Sequence, residues 1–151
     1  MGAAFFYHLT QTTLEVTLPM LLNKARGAGW RVAVRGNDSE RLKWLDEKLW
    51  LGPEDGFLPH GLAGGDFDAD QPILLTTGAA ANAPHCWMAI NGAEVTPQEV
   101  SAAERVCILF YGNSQPELDR ARGQWKALTE AGCPAQYWSE ESGRWTMKAE
   151  K

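Results

Sequence analysis

The chain has 151 residues, of which 44% are apolar and 22% charged, and its formal net charge is −5. That size and balance fit one ordinary globular domain and exclude disorder over the whole length. The negative charge excludes a surface that tracks a nucleic-acid backbone broadly, while leaving room for a local basic patch.

Ala3-Ala4-Phe5-Phe6-Tyr7-His8-Leu9 reads as a first strand. Pro19 is best placed at a first helical position, with Thr17 or Leu18 just before it. Leu18, Leu21, Leu22 and Ala25 then share one face, and Gly27 and Gly29 end the helix. Trp30 to Arg35 predicts a second strand. Asn37-Asp38-Ser39 caps a second helix, with Leu42, Leu45 and Leu49 on one side and Pro53 and Gly56 closing it. Strand, helix, strand, helix in that order predicts a parallel sheet with right-handed crossovers.

From Trp50 to Gln71 the chain is irregular and rich in Gly and Pro, and a loop this long inside a compact domain is often functional. Further strands are expected at Pro72–Thr76, Trp87–Ile90 and Val106–Tyr111. The last is apolar on both faces, as in a sheet covered on both sides. A short helix starts at Thr96. Ser114 caps a longer one, with Pro116 early, that runs to about Ala131 and stops at Gly132 and Pro134. Gln136-Tyr137-Trp138 is the candidate last strand, and Trp145 sits in a short tail.

Most catalytic chemistry lacks its residues. Neither G-x-x-x-x-G-K-[ST] nor G-x-G-x-x-G follows the first strand, and His8 to Thr13 contains no glycine to let a phosphate approach. A small nucleotide-binding, Rossmann-like enzyme stays as an alternative reading. Cys86, Cys107 and Cys133 have no C-x-x-C spacing, and Cys107 reads as a small buried residue. His8, His60 and His85 lack the spacing of a metal site. Asp66, Asp68 and Asp70 alternate without the Gly and Glu of a calcium loop and read as a solvated acidic loop. No metal or cofactor is expected. No run reaches the roughly 18 apolar residues that span a bilayer, so a cytoplasmic location is expected.

Two stretches are informative. In the late helix Leu118, Ala121, Trp125 and Leu128 form one stripe, and Arg122 and Lys126 stack on its flank. An aromatic beside two cations suits a peptide carrying carboxylates and an apolar side chain. The same pattern also suits a core Trp beside ordinary surface cations. The other stretch runs from Leu45 to Trp50 and on through Phe57 to Gly64. Its large apolar side chains either tuck under the domain or contact a partner. Direct binding of single-stranded DNA through exposed tryptophans is a further alternative, which the net charge opposes.

These stretches also carry a resemblance. Phe6-Tyr7, Leu45-Asp46-Glu47-Lys48-Leu49-Trp50, Phe57-Leu58-Pro59-His60-Gly61-Leu62-Ala63-Gly64, Gln71-Pro72-Ile73-Leu74-Leu75 and the late Arg122, Trp125, Lys126 and Ala127 keep their order across nearly the whole chain. Together they resemble the chi subunit of bacterial DNA polymerase III, an accessory subunit of the clamp loader. The resemblance implies a three-layer α/β/α fold with a doubly wound, mostly parallel sheet, Rossmann-like but without a phosphate-binding loop. It implies a single domain over 1–151, with an irregular partner-binding segment at about 50–72. It also implies a module with no catalytic site of its own inside a DNA-directed DNA polymerase holoenzyme. Such a module links the clamp loader to the acidic C-terminal tail of single-stranded DNA-binding protein and meets DNA mostly indirectly. By the resemblance Arg122, Trp125 and Lys126 hold that tail, with Tyr111 and Trp145 walling the pocket. Trp50, Phe57, Pro59, His60 and Leu62 would meet the psi subunit or another loader component. Leu118 and Thr129 stand where other chi proteins carry further cations, so either tail binding is weaker here or other basic residues such as Arg120 or Arg105 substitute.

Overall fold

The computed structural model describes residues 2–50, 60–65, 67–140 and 144–151, and of Trp50 the backbone alone. Strands β1 (Ala3–Leu9), β2 (Val32–Arg35), β3 (Gly61–Leu62), β4 (Ile73–Thr76), β5 (Cys86–Ala89), β6 (Arg105–Tyr111), β7 (Ala135–Ser139) and β8 (Thr146–Glu150) form one sheet in the order β3-β4-β2-β5-β6-β1-β7-β8. Each pairing is parallel except β7 with β8. Helices α1 (Leu14–Gly27) and α2 (Ser39–Trp50) pack on one face, and α3 (Pro97–Ala102) and α4 (Gln115–Glu130) on the other. The expected three-layer α/β/α architecture is present. Its central strands are apolar on both sides because both faces are covered: Ile73 to Thr76 and Cys86 to Ala89 are buried throughout.

Several boundaries differ from those the sequence predicts, each for a local reason. Helix α1 begins at Leu14, and Pro19 lies inside it. The apolar stripe extends one turn further back than expected, with Leu14 and Thr17 both buried. The Leu14 N–H, which has no partner within the helix, donates to the Tyr111 hydroxyl at 2.6 Å. Pro19 forgoes the bond its N–H would make to the Glu15 carbonyl, and the burial of that added turn offsets the loss. Strand β2 starts at Val32, because the Trp30 N–H closes the end of α1 on the Ala25 carbonyl at 3.1 Å. The tail beyond Trp145 forms the antiparallel edge strand β8. All five of its residues are exposed, so it shows no alternation to read. Asp68 is more than a solvated acid: its carboxylate accepts from the Gly64 and Gly65 N–H groups at 2.8 and 3.0 Å and fixes the turn after β3.

The topology creates a switch point. The chain leaves β1 through α1 on one face, and leaves β6 through α4 on the opposite face to reach β7, with β1 lying between β6 and β7. In sheets of this kind the crevice outside the strands' carboxyl ends is where ligands bind. Here protein groups occupy it. Glu140, 4% exposed, follows β7. Its carboxylate accepts from the N–H groups of Thr10 and Thr12 at 3.0 and 3.1 Å and from the Thr12 hydroxyl at 3.0 and 2.9 Å. The Thr12 and Thr17 hydroxyls lie 2.6 Å apart, so with Thr12 donating to the carboxylate, Thr17 donates to Thr12. Burial alone would raise the Glu140 carboxyl. The bonds from the backbone of Thr12 and Thr10, the Thr12 hydroxyl and the Gln11 backbone outweigh it and hold the group below its ordinary value.

A second clamp sits at the carboxyl end of β2. The Arg35 guanidinium meets the Glu99 carboxylate through two bonds of 2.8 and 2.6 Å and lies 4.1 Å above the Trp87 ring. Arg35 holds the Glu99 carboxyl below the usual carboxylate range. Glu99 also closes a capping box with Thr96, which starts the six-residue α3.

Replacing Glu140 with Gln keeps the shape but faces two N–H donors with an amide. The Glu140→Gln protein should lose about 2 kcal/mol, a fall of roughly 4–8 °C in Tm. Because the folded-state carboxyl is lowered, its contribution is fully present above the unfolded value of about 4.3 and fades as pH drops through the folded value. Thermal melts at pH 7 and pH 3 should therefore show the difference shrinking in acid; equal melting temperatures at pH 7 would contradict this role.

Candidate functional site

Helix α4 begins after Ser114, whose side chain makes no capping bond. Its first turn is tied instead by Glu117, which accepts from the Tyr111 N–H at 3.2 Å. Ala121 and Leu128 are buried against the sheet, while Leu118 and Trp125 lie half-buried at the edge of that stripe. The alternation of β1 sends Phe6 and His8 to the α4 face and Phe5, Tyr7 and Leu9 to the other. Trp125 meets the Phe6 ring edge-on, with centroids 5.3 Å apart, and the Tyr137 ring likewise at 6.2 Å.

His8 stacks on Phe110 with centroids 5.1 Å apart, and its Nδ1 lies 2.5 Å from the Tyr137 hydroxyl. The ring fits there because residue 112 is glycine: a Cβ would fall 1.8 Å from His8 Nε2.

These residues enclose a groove of about 470 Å³. Phe6, His8, Phe110 and Tyr137 supply its sheet side, Leu118, Ala121, Arg122 and Trp125 its helix side, and Ala149, Glu150 and Lys151 the strand side. The Glu150 carboxylate accepts from Gln136 Nε2 at 2.8 Å. Arg122 is exposed and makes no ion pair among the described residues. The arrangement combines an aromatic, apolar interior with cationic side chains at the opening, which suits a ligand with an apolar body and a carboxylate.

The structure brings Arg122 and Trp125 together around this groove. Lys126, one position on, is exposed on α4 and does not line it. Tyr111 and Trp145, expected to wall the same pocket, lie across the sheet. Tyr111 packs with the α1 and α2 layer and Trp145 stands edge-on to Tyr7, with centroids 5.4 Å apart. On β6 it is Phe110, not Tyr111, that faces α4. Burial raises the Tyr111 hydroxyl above its ordinary value, which keeps it a donor or acceptor at the end of α1. Leu118 lines the groove, and Thr129 donates its hydroxyl to the Trp125 carbonyl at 2.7 Å. Neither proposed substitute cation reaches it. Arg120 donates to the Gly92 carbonyl at 3.2 Å, and Arg105 lies on the far face against Phe5.

Phe6, His8, Phe110, Tyr137 and Lys151 were not anticipated. The even-numbered alternation of β1 is the signal that could have found the first two. Finding Phe110 and Tyr137 requires the strand register, Phe6 beside Ile108 and Tyr137 and His8 beside Phe110, which only the fold supplies.

Of the second predicted group, Phe57 and Pro59 fall outside the described residues, as does the side chain of Trp50. His60 is 4% exposed, and its Nε2 lies 3.1 Å from both the backbone carbonyl and the Oδ1 of Asp46. It ties α2 to the sheet edge at β3. Leu62 is half-buried in β3 against the α1 and α2 layer.

The family model described as DNA polymerase III chi subunit, HolC, matches residues 1–136. The chain belongs to that family. No curated protein matches it. As a chi-family chain it is an accessory subunit of DNA polymerase III and associates with that complex. The match takes in all of α4 and ends inside β7, so β8 and the Lys151 side of the groove lie past the matched portion of this chi-family chain. No helix among the described residues is long and apolar enough to cross a membrane.

A methyl group at residue 112 must displace the His8 ring. Gly112→Ala should cost about 1–3 kcal/mol, break the His8–Tyr137 contact and reshape the groove. A melt and a structure of the variant check this; a wild-type melting temperature with the His8 ring unmoved would contradict it.

Proposed function

We propose that this chain links the DNA polymerase III clamp loader to single-stranded DNA-binding protein by holding that protein's acidic C-terminal tail in the α4 groove. The observation that carries the proposal is the groove's make-up: an aromatic interior edged by Arg122 and Lys151, with the Glu150 carboxylate beside them already bonded to Gln136, on a chain whose net charge is −5. In this reading the half-buried Trp125 and Tyr137 cover the tail's apolar end residue. Arg122 pairs with its terminal carboxylate, and Lys126, exposed one position beyond Trp125, draws in the acidic residues upstream.

A short flexible tail loses freedom on docking, so an affinity in the micromolar range is expected. A partner carrying several tails would hold more tightly by avidity. The segment around Trp50 to Leu62 at the β3 edge would meet the psi subunit or another loader component. The tail groove and that edge lie on different parts of one sheet, which suits a module with two partners at once. The module would work in the cytoplasm and, in this reading, performs no catalysis. The Glu140 carboxylate supports that last point, since a phosphate entering the switch-point crevice would have to displace an anion already bonded there.

Calorimetric titration with the cognate tail peptide tests the proposal. Binding should weaken at least about tenfold, near 1.4 kcal/mol, in Arg122→Glu and in Trp125→Ala, less in Lys126→Glu, and progressively as salt rises. Unchanged affinity in both Arg122→Glu and Lys126→Glu would overturn the assignment.

A further inference from the structure

The opposite face of the sheet carries a second groove, of about 520 Å³, between α1 and strands β1 and β7. Helices α1 and α2 leave this part of the sheet uncovered. Five rings line it: Phe5, Tyr7, Trp30, Trp138 and Trp145, all half-buried. Trp145 stands edge-on to Tyr7 at 5.4 Å, closing one side.

The polar groups of this groove are of one sign. Lys24 and Arg105 line it, and no carboxylate does among the described residues. The Arg105 guanidinium is held 4.4 Å over Phe5 and 5.4 Å over Trp30, and neither cation makes an ion pair among the described residues. Burial raises the Tyr7 hydroxyl far above its ordinary value, so it stays protonated and can donate. Two cations beside an aromatic groove, on a chain of net charge −5, are complementary to an anion with an apolar body.

The geometry points to this groove as a second docking site for an acidic peptide end with an apolar terminal side chain. The ligand chemistry is that of the α4 groove, on which this proposal rests only for the choice of probe. A peptide end fits better than a DNA strand. The cavity holds a few side chains rather than a run of nucleotides, two cations neutralise few phosphates, and the rest of the chain repels a polyanion. With two such grooves on opposite faces, one chain could engage two tails of a multi-tailed partner and gain avidity without new contacts.

The test is a titration of the full chain with a synthetic peptide of several acidic residues ending in one large apolar residue with a free carboxylate. It is followed by heteronuclear NMR of the tryptophan indole N–H signals and by calorimetry. Two sites per chain are expected, with the Trp30, Trp138 and Trp145 indoles shifting as one set and Trp125 as the other. Lys24→Glu, at an exposed helix position, and Arg105→Glu should each weaken the first set about tenfold and leave Trp125 unaffected, while Arg122→Glu should do the reverse. One site, sensitive to Arg122→Glu alone, would overturn this inference and leave the α4 assignment standing. Peptide-induced shifts in neither set would overturn both. Shifts of the Trp30, Trp138 and Trp145 set by a bare oligothymidine but not by the peptide would also overturn it.

Discussion

A carboxylate set at the carboxyl ends of parallel strands is a buried charge that must find donors. Glu140 finds them in the Thr10 and Thr12 backbone and the Thr12 hydroxyl, on the loop that leaves the first strand. In a doubly wound sheet that loop is the natural cradle for a ligand's phosphate. In this chain an internal anion holds it, and the Tyr111 hydroxyl meets the first N–H of α1 beside it. The crevice serves to hold β7, β1 and β6 together.

That displacement explains where the grooves lie. Among the described residues, four α-helices cover eight strands unevenly. On one face α4 leaves open the stretch toward β8, where Trp125 and Tyr137 lie half-buried beside a groove. On the other, α1 and α2 sit over the β2 side of the sheet and leave the rings of β1 and β7 uncovered. Aromatic side chains can line such openings because they present large apolar area with few torsions to freeze. His60 plays a different part at the far edge, anchoring α2 to β3 through Asp46 while its own side chain stays hidden.

Much of the fold is legible from the residues, since buried parallel strands are continuous apolar runs and the helices carry periodic stripes and caps. The apolar Val106 to Tyr111 run and the Thr96-Pro97-Gln98-Glu99 capping box are of this kind. Edge elements leave no such trace: β3 is two residues long, and β8 is exposed at each position. Pro19 misleads because a first-turn preference yields to the burial of Leu14 and Thr17. The α4 groove is half legible. Arg122 and Trp125 share a helix, and their spacing can be read. Which residues oppose them depends on strand register and parity, and there a one-residue shift exchanges Phe110 for Tyr111 and moves the partner to the other face.

The central claim is that the α4 face receives ligand while the switch-point crevice stays closed by Glu140. Amide-proton mapping of the isotope-labelled chain during addition of the tail peptide tests it most directly. The account predicts shifts in α4 from Leu118 to Lys126, in Tyr137 and at Ala149 to Lys151, with Thr10 to Leu14 unmoved. Shifts concentrated at Thr10 to Leu14, with α4 silent, would contradict it.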